Sequence, residues 1–133
     1  CSRDWSSDVY SSDLEPFIDH PNVKFINEIF SPQKKSNFIN TCDCMLHARL
    51  RGESFGLSVA EFLSLNKPVV SWFGGVDRNH LEMLKGSETL YNNNDDLDYI
   101  LHNLKDFNQD WTKRVEEYKP NMVMNKFNEV FLK

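Results

Sequence analysis

Two glutamates flank the start of a predicted helix, and their side chains can take part in binding or transfer chemistry. Glu53 and Glu61 are separated by seven residues, among them Phe55, Gly56 and Leu57. The first N–H groups of a helix have no partner within the helix and lie at the positive end of its dipole, so they suit a pyrophosphate or sugar oxygens. A carboxylate that accepts ribose hydroxyls makes charge-assisted bonds worth about 1.5–3 kcal/mol. The segment therefore predicts a nucleotide site.

The two carboxylates are expected to face one cleft. Glu53 lies in the loop before the predicted helix and Glu61 in its second turn. Helical side chains lean toward the amino end, so the Glu61 carboxylate reaches back toward that loop. Gly56 has no Cβ and would let a ligand approach the backbone closely. The spacing alone is a weak signal, since both glutamates also suit solvated or helix-capping positions.

The polar neighbours of this segment leave alternatives open. Arg49 and Arg51 suit contacts with a donor phosphate, but also an ion pair with Glu53. His47 suits either the lining of a cleft or a hydrogen-bonded position in the core. Ser58 suits either a phosphate contact or local capping of the helix. We include Arg51 and Ser58 among the predicted ligand contacts.

Short apolar runs alternate with helical patterns along most of the chain. The predicted strands cover residues 23–26, 44–48, 68–72 and 88–91, and the predicted helices cover 33–41, 57–65, 77–84, 94–104 and a tail, 108–132, interrupted at Pro120. The strand 44–48 is apolar enough to be buried on both faces. This alternation predicts an α/β fold, a partial Rossmann-like parallel sheet with flanking helices. Ligands bind beyond the carboxyl ends of such strands, where segment 47–61 falls.

Composition excludes several classes of partner. The chain has 133 residues and a net charge of −5, which makes a nucleic acid an unlikely ligand and predicts none. No apolar run approaches the ~20 residues needed to span a bilayer. The three cysteines predict reduced thiols and a cytoplasmic location, with membrane contact at most peripheral.

No metal site is expected. Cys42 and Cys44 form a single Cys-x-Cys pair, which is a poor zinc signal without a second pair. The acidic run 95–98 contains an Asp-x-Asp, but it follows three asparagines at a predicted helix start, where acidic residues favour the helix dipole. Capping is therefore the expected role of this run, and no cofactor is predicted.

The first residues resemble a translated sequencing adapter over residues 4–14, the alternative being a polar Ser/Asp-rich loop. Both interpretations exclude residues 1–14 from the fold, and the first implies that the native sequence begins mid-gene near Glu15. The predicted organisation is then a non-native tail at 1–14, a nucleotide-binding domain truncated at its amino end at 15–106, and a kinked helical segment at 107–133.

The order of these motifs closely resembles glycosyltransferase family 4. The matching features are a strand, the run Gly-Glu-Ser-Phe-Gly-Leu at 52–57, a helix carrying Glu61, the run Asn-Lys-Pro-Val-Val-Ser at 66–71, and the turn Gly74-Gly75. The resemblance covers residues 22–104 and is strongest over 43–75. It implies the carboxyl-terminal, donor-binding half of a two-domain GT-B enzyme. Such enzymes transfer a sugar from a nucleotide-sugar to a glycan or other acceptor with retention and need no metal.

The resemblance also assigns roles to residues. Glu61 would hold the ribose, Glu53 would face the transferred sugar near its reacting carbon as the catalytic residue, and the backbone of Phe55, Gly56 and Leu57 would meet sugar hydroxyls or phosphate. The family's diphosphate-neutralising Arg and Lys and its acceptor-binding domain are expected upstream, so the chain alone is expected to be inactive. Two alternatives stay open: a nucleotide-sugar epimerase of the same architecture, and a non-catalytic nucleotide-sugar-binding module.

The chain departs from the family pattern at two positions. Asn66 stands where glycine is usual after the helix, and Phe62 follows Glu61 where a small residue is common. Asn66 tolerates the left-handed backbone conformation that ends helices. Both departures are therefore expected to be structurally mild.

Overall fold

The computed structural model describes residues 20–132, and the predicted tail at 1–14 lies outside them. The chain divides into two compact units between residues 35 and 36. Within the first unit, residues 23–26 form no strand, so that prediction is wrong. Val23, Phe25 and Ile26 are exposed, and an apolar run forms a strand only where another strand pairs with it. Helix α1 spans Pro32–Thr41, one residue longer than the predicted 33–41, and it begins with proline at its first position, which that position favours.

The second unit contains five short strands and three further α-helices. In chain order these are β1 (Met45–His47), β2 (Gly52–Glu53), α2 (Leu57–Ser64), β3 (Val69–Trp72), β4 (Asp77–Arg78), β5 (Leu90–Tyr91), α3 (Asn94–His102) and α4 (Pro120–Phe131). Three 3-10 helices lie between them, at Asn79–Glu82, Leu104–Asp106 and Trp111–Tyr118. Within residues 20–132, no helix is long and apolar enough to cross a membrane.

The predicted parallel sheet is present and small. Its strand order is β1-β3-β5, with both pairs parallel, and β2 pairs with β4 in a second parallel ladder. The chain is therefore a mixed α/β protein with helices flanking a parallel sheet. The expectation that β1 is buried on both faces is wrong, because Leu46 is 48% exposed. Strand β1 lies at the edge of the described sheet, where a side chain is less fully covered than on a central strand.

The main core forms where α2 packs beside the sheet. Val59 and Leu63 of α2 are fully buried against Val69 of β3, Leu84 and Trp111. After α2 the chain reverses at Asn66, whose φ of 59° is left-handed, as predicted. The Asn66 side chain then accepts a hydrogen bond from the Trp111 backbone at 2.9 Å. A residue at the end of α2 thus ties the carboxyl-terminal segment to the core.

Two predicted helices differ from the structure. Residues 77–84 begin as strand β4 and continue as a 3-10 helix, because the N–H groups of Val76 and Asp77 bond to the Arg51 carbonyl at 3.1 and 2.9 Å. That long-range pairing removes residues 77–78 from any helix. In the tail, the predicted interruption at Pro120 is confirmed. The segment before it is a 3-10 helix, and Pro120 is the first residue of α4.

Candidate functional site

Glu53 lies on the two-residue strand β2 rather than in an open loop. The preceding Gly52 has a φ of 82°, and a Cβ at that position would overlap the carbonyl oxygen of Asp77 on β4. Glycine is therefore required for β2 and β4 to approach each other. The pairing of β2 with β4 fixes the backbone of Glu53. Its side chain is 26% exposed.

Glu53 forms an ion pair with Arg49, which is one of the two alternatives predicted for that arginine. Arg49 Nη1 donates a hydrogen bond to Glu53 Oε1, and His47 Nε2 lies 3.6 Å from the same oxygen. The Arg49 side chain is 44% exposed, so solvent screens the pair and its contribution to stability is about 0–1 kcal/mol. Arg51 is exposed and serves the fold through its backbone carbonyl. Its predicted phosphate contact stays a prediction.

His47 is buried at the end of β1, and its two ring nitrogens lie in different surroundings. Nδ1 is 3.2 Å from the hydroxyl of Ser71 on β3. Nε2 makes no hydrogen bond of ordinary geometry within the described chain, although the Glu53 carboxylate is near. His47 is therefore a hydrogen-bonded residue of the core, which is one of the two expected positions. A role in lining a cleft stays a prediction.

His80 joins this group, and the sequence did not predict it. Its ring is fully buried in the 3-10 helix Asn79–Glu82, its Nε2 is 3.4 Å from Ser71 Oγ, and its centroid is 4.7 Å from that of His47. Burial lowers the pKa of His80, as does the nearby His47, against a smaller raising effect of Glu53. His80 is therefore a neutral imidazole at neutral pH. The only sequence signal is its position directly before Leu81, which is also buried.

The amino end of α2 lies against His80. Its N-cap residue Gly56 has the left-handed φ of 89°, and no side chain of the described residues caps this end. Within residues 20–132, the N–H groups of Leu57, Ser58 and Val59 donate to no backbone acceptor. A Cβ on Gly56 would lie 2.7 Å from the Cβ of His80. The His80 side chain therefore occupies the space beside Gly56 that was predicted to let a ligand approach the backbone.

Glu61 lies in the second turn of α2 and borders a different surface. It lines an open groove of about 320 Å³ together with Leu57, Tyr118 and Lys119. Phe55 contacts the same region, because its ring meets that of Tyr118 edge-on at 5.2 Å between centroids. The predicted residues therefore form two neighbouring groups.

Around the amino end of α2, one group is Glu53 with the histidines, and the other is Phe55, Leu57 and Glu61 at the groove. Gly56 lies between Phe55 and Leu57 in the chain and packs on His80 of the first group. The convergence of the two carboxylates on one cleft stays a prediction.

The acidic run 95–98 opens helix α3, as predicted. The Asn93 side chain accepts a hydrogen bond from the Asp96 N–H at 2.8 Å, and Asp96 Oδ2 accepts one from the Asn92 N–H at 3.0 Å. This reciprocal arrangement is a helix cap. In the described part of the chain, no three His, Cys, Asp or Glu side chains gather to hold a metal ion. Burial raises the pKa of the Cys44 thiol, and the nearby Asp43 and Cys42 raise it further. The thiol therefore stays protonated, which makes it a poor nucleophile.

No protein-family model, curated protein or solved structure matches this chain. The likeness to glycosyltransferase family 4 therefore rests on the motifs at 52–57, 61, 66–71 and 74–75. The structure places the motif at 52–57 at the amino end of α2 and the motif at 66–71 after its carboxyl end, leading into β3.

Proposed function

We propose that this chain is the donor-binding part of a retaining glycosyltransferase, with a Rossmann-like sheet from the carboxyl-terminal half of a GT-B fold. Support comes from the parallel sheet β1-β3-β5 and from a polar segment that follows β1 and leads into α2. The reaction class is sugar transfer from a nucleotide-sugar to a glycan or other acceptor, which a separate domain would bind.

One observation carries the proposal: within residues 20–132, the first N–H groups of α2 donate to no backbone acceptor and no side chain caps this end. Leu57, Ser58 and Val59 present these donors beside Gly56, whose conformation requires glycine. The end is connected to the sheet through His80, which contacts Gly56 and faces Ser71 of β3. It therefore lies near the carboxyl ends of β1 and β3, which is where parallel sheets bind nucleotides.

The roles follow from charge and position. The donor diphosphate would accept the α2 N–H groups and would gain from the positive end of the helix dipole. The Glu61 carboxylate would accept the ribose hydroxyls. Glu53 would face the anomeric carbon, where positive charge develops as the bond to the diphosphate breaks, and a carboxylate favours that charge. Arg51 would reach the phosphate from its exposed position.

The transfer itself needs no redox change. The bond from the anomeric carbon to the diphosphate oxygen breaks, and its electron pair leaves with the diphosphate. An acceptor hydroxyl forms the new bond on the same face, and its proton passes to the departing diphosphate. The protein supplies positioning and electrostatic stabilisation.

The proposal is tested by donor binding to the chain. Isothermal titration with uridine, guanosine and adenosine diphosphate sugars should find one nucleotide that binds. Loss of a charge-assisted bond worth about 1.5–3 kcal/mol predicts a decrease in affinity of at least about tenfold in Glu61→Gln. The matched control is Glu88→Gln, an exposed glutamate between the 3-10 helix Asn79–Glu82 and β5, which should bind as the unchanged chain does. Equal affinities for both variants would contradict the role of Glu61.

A further inference from the structure

Four polar side chains from four different elements meet inside the second unit. They are His47 at the end of β1, Glu53 on β2, Ser71 on β3, and His80 in the following 3-10 helix. His47, Ser71 and His80 are all at least nine-tenths buried. Buried polar groups are costly unless they are hydrogen-bonded, so this cluster requires an explanation of where its protons lie.

The Ser71 hydroxyl lies between the two imidazoles, 3.2 Å from His47 Nδ1 and 3.4 Å from His80 Nε2. A hydroxyl has a single hydrogen, and besides the two rings the Trp72 carbonyl oxygen lies 3.4 Å from Ser71 Oγ as a possible acceptor. Where the hydroxyl donates to one ring, it accepts from the other. A neutral imidazole carries its hydrogen on one nitrogen only. The cluster therefore has two possible directions of donation.

In one direction, His80 donates from Nε2 to Ser71, Ser71 donates to His47 Nδ1, and His47 presents an Nε2–H to the Glu53 carboxylate. In the other direction, His47 donates to Ser71, and its Nε2 lone pair faces the negative Glu53 oxygen at 3.6 Å. The second direction leaves the N–H on the other nitrogen of the His80 ring to donate to the nearby backbone carbonyl of Glu53, which is a neutral hydrogen bond. A donor facing a carboxylate makes about twice as strong a bond as a neutral pair, so the first direction is favoured.

We propose that His80, Ser71 and His47 form a directional hydrogen-bond relay that ends on the Glu53 carboxylate, with His47 as the positioning residue for Glu53. The relay requires the distance between His47 Nε2 and Glu53 Oε1 to shorten from 3.6 Å to about 3.2 Å or less. Arg49 holds the same oxygen from the exposed side. In the relay, the carboxylate would lie between an exterior cation and an interior hydrogen-bond donor.

His47 Nε2 and His80 Nδ1 both make no hydrogen bond of ordinary geometry among the described residues, so this observation favours neither direction. One observation is compatible with the first direction. The lowered pKa of His80 keeps its ring neutral, with one N–H to donate.

The consequence for sugar transfer rests on the proposed function, because only there does Glu53 face a substrate. His80 also contacts Gly56 at the start of α2. The relay would therefore fix the candidate catalytic carboxylate and the candidate phosphate-binding helix end relative to each other.

The relay itself is tested without any ligand, by nitrogen-15 NMR of the histidine rings in the full chain at about pH 8. Both His47 and His80 should be the neutral Nε2–H tautomer. Ser71→Ala should leave the chain folded and convert His47 to a mixture of tautomers. The control Thr89→Val removes another fully buried hydroxyl, which bonds to Ser87 at 3.0 Å, and should leave both tautomers unchanged.

A second pair of variants separates the two nitrogens of His47. His47→Gln places an amide donor near the former Nε2 and should retain the Glu53 contact, whereas His47→Asn should lose it. The readout is the chemical shift of the Glu53 carboxyl carbon, which should resemble that of the unchanged chain only in His47→Gln.

An Nδ1–H tautomer on His47 or His80 in the unchanged chain would overturn the relay, even if Ser71→Ala fails to fold. That result would leave donor binding and the Glu61→Gln comparison untouched, so the two proposals fail separately.

Discussion

Helices α2 and α4 both carry large apolar side chains, yet only α2 is part of the core. The eight-residue α2 buries Val59 and Leu63 completely. The twelve-residue α4 buries none of its residues, and Phe131 is 69% exposed. The longer helix packs on the 3-10 helix Trp111–Tyr118 before it, whereas the shorter one packs on that same 3-10 helix and on the sheet as well. An apolar face therefore stabilises a helix only where another element covers it, and α2 is where the core and the candidate site meet.

The largest loss of unfolding free energy is expected at Gly52 of β2, the strand that precedes α2. Gly52→Ala would place a methyl group on the Asp77 carbonyl in addition to a strained φ of 82°. The strain alone costs about 1–2 kcal/mol, and the steric overlap should bring the loss of unfolding free energy to about 4 kcal/mol or more. Urea unfolding followed by circular dichroism measures it.

The control for this variant is Gly86→Ala. Gly86 also has a positive φ, 71°, but a Cβ there would meet nothing within 4 Å. It should lose about 1–2 kcal/mol, from strain alone. Equal losses at the two glycines would show that the contact between β2 and β4 is not what requires Gly52.

The contrast between buried and exposed helix faces is sharpened by two leucines of α2. Leu63→Ala should decrease the unfolding free energy by about 2–5 kcal/mol, because it leaves a cavity in the core. Leu57→Ala, on the exposed face of the same helix, should cost less than about 1 kcal/mol. In α4, Phe131→Ala should also cost less than about 1 kcal/mol. A loss above about 2 kcal/mol for Phe131→Ala would break the comparison between the helices.

Sequence patterns predicted the elements whose signals are local. The apolar run of β3, the helix pattern of α2 and the Asn66-Lys67-Pro68 stop between them all lie within one continuous segment, 57–72. Residues 77–78 were assigned to a helix because their strand pairing depends on Arg51, which is distant in sequence. The prediction of strand 23–26 rests on its apolar residues and on the Pro-Asn turn before them, and a local pattern does not supply a pairing strand.

The same limit applies to the candidate site: residues within one local motif could be predicted, and a residue brought in by the fold could not. The positions of Glu53, Gly56 and Glu61 around the start of α2 follow from the motif. The burial of His80 does not follow, since in the predicted helix 77–84 it comes after three polar residues, Asp77, Arg78 and Asn79. Only the fold brings it against Gly56 and Ser71.

The smallest expected effect is a dependence of the unfolding free energy on pH. It arises from His80, which packs against the amino end of α2, whereas α4 buries none of its residues. His80 has a pKa lowered first by burial and then by His47, with Glu53 opposing. Below an ordinary histidine pKa of about 6.5, the unfolded chain therefore binds a proton that the folded chain does not. Unfolding free energy should accordingly decrease as the pH falls from about 7 toward the lowered pKa, and it should be constant above 7 as far as His80 contributes.

Urea unfolding at successive pH values measures this dependence, and His80→Gln should reduce the slope. His102→Gln, at the exposed end of α3, should keep it. If His80→Gln retains the full slope, His80 is not the group that is buried in its neutral form, and the amino end of α2 does not rest on a group that titrates in this range.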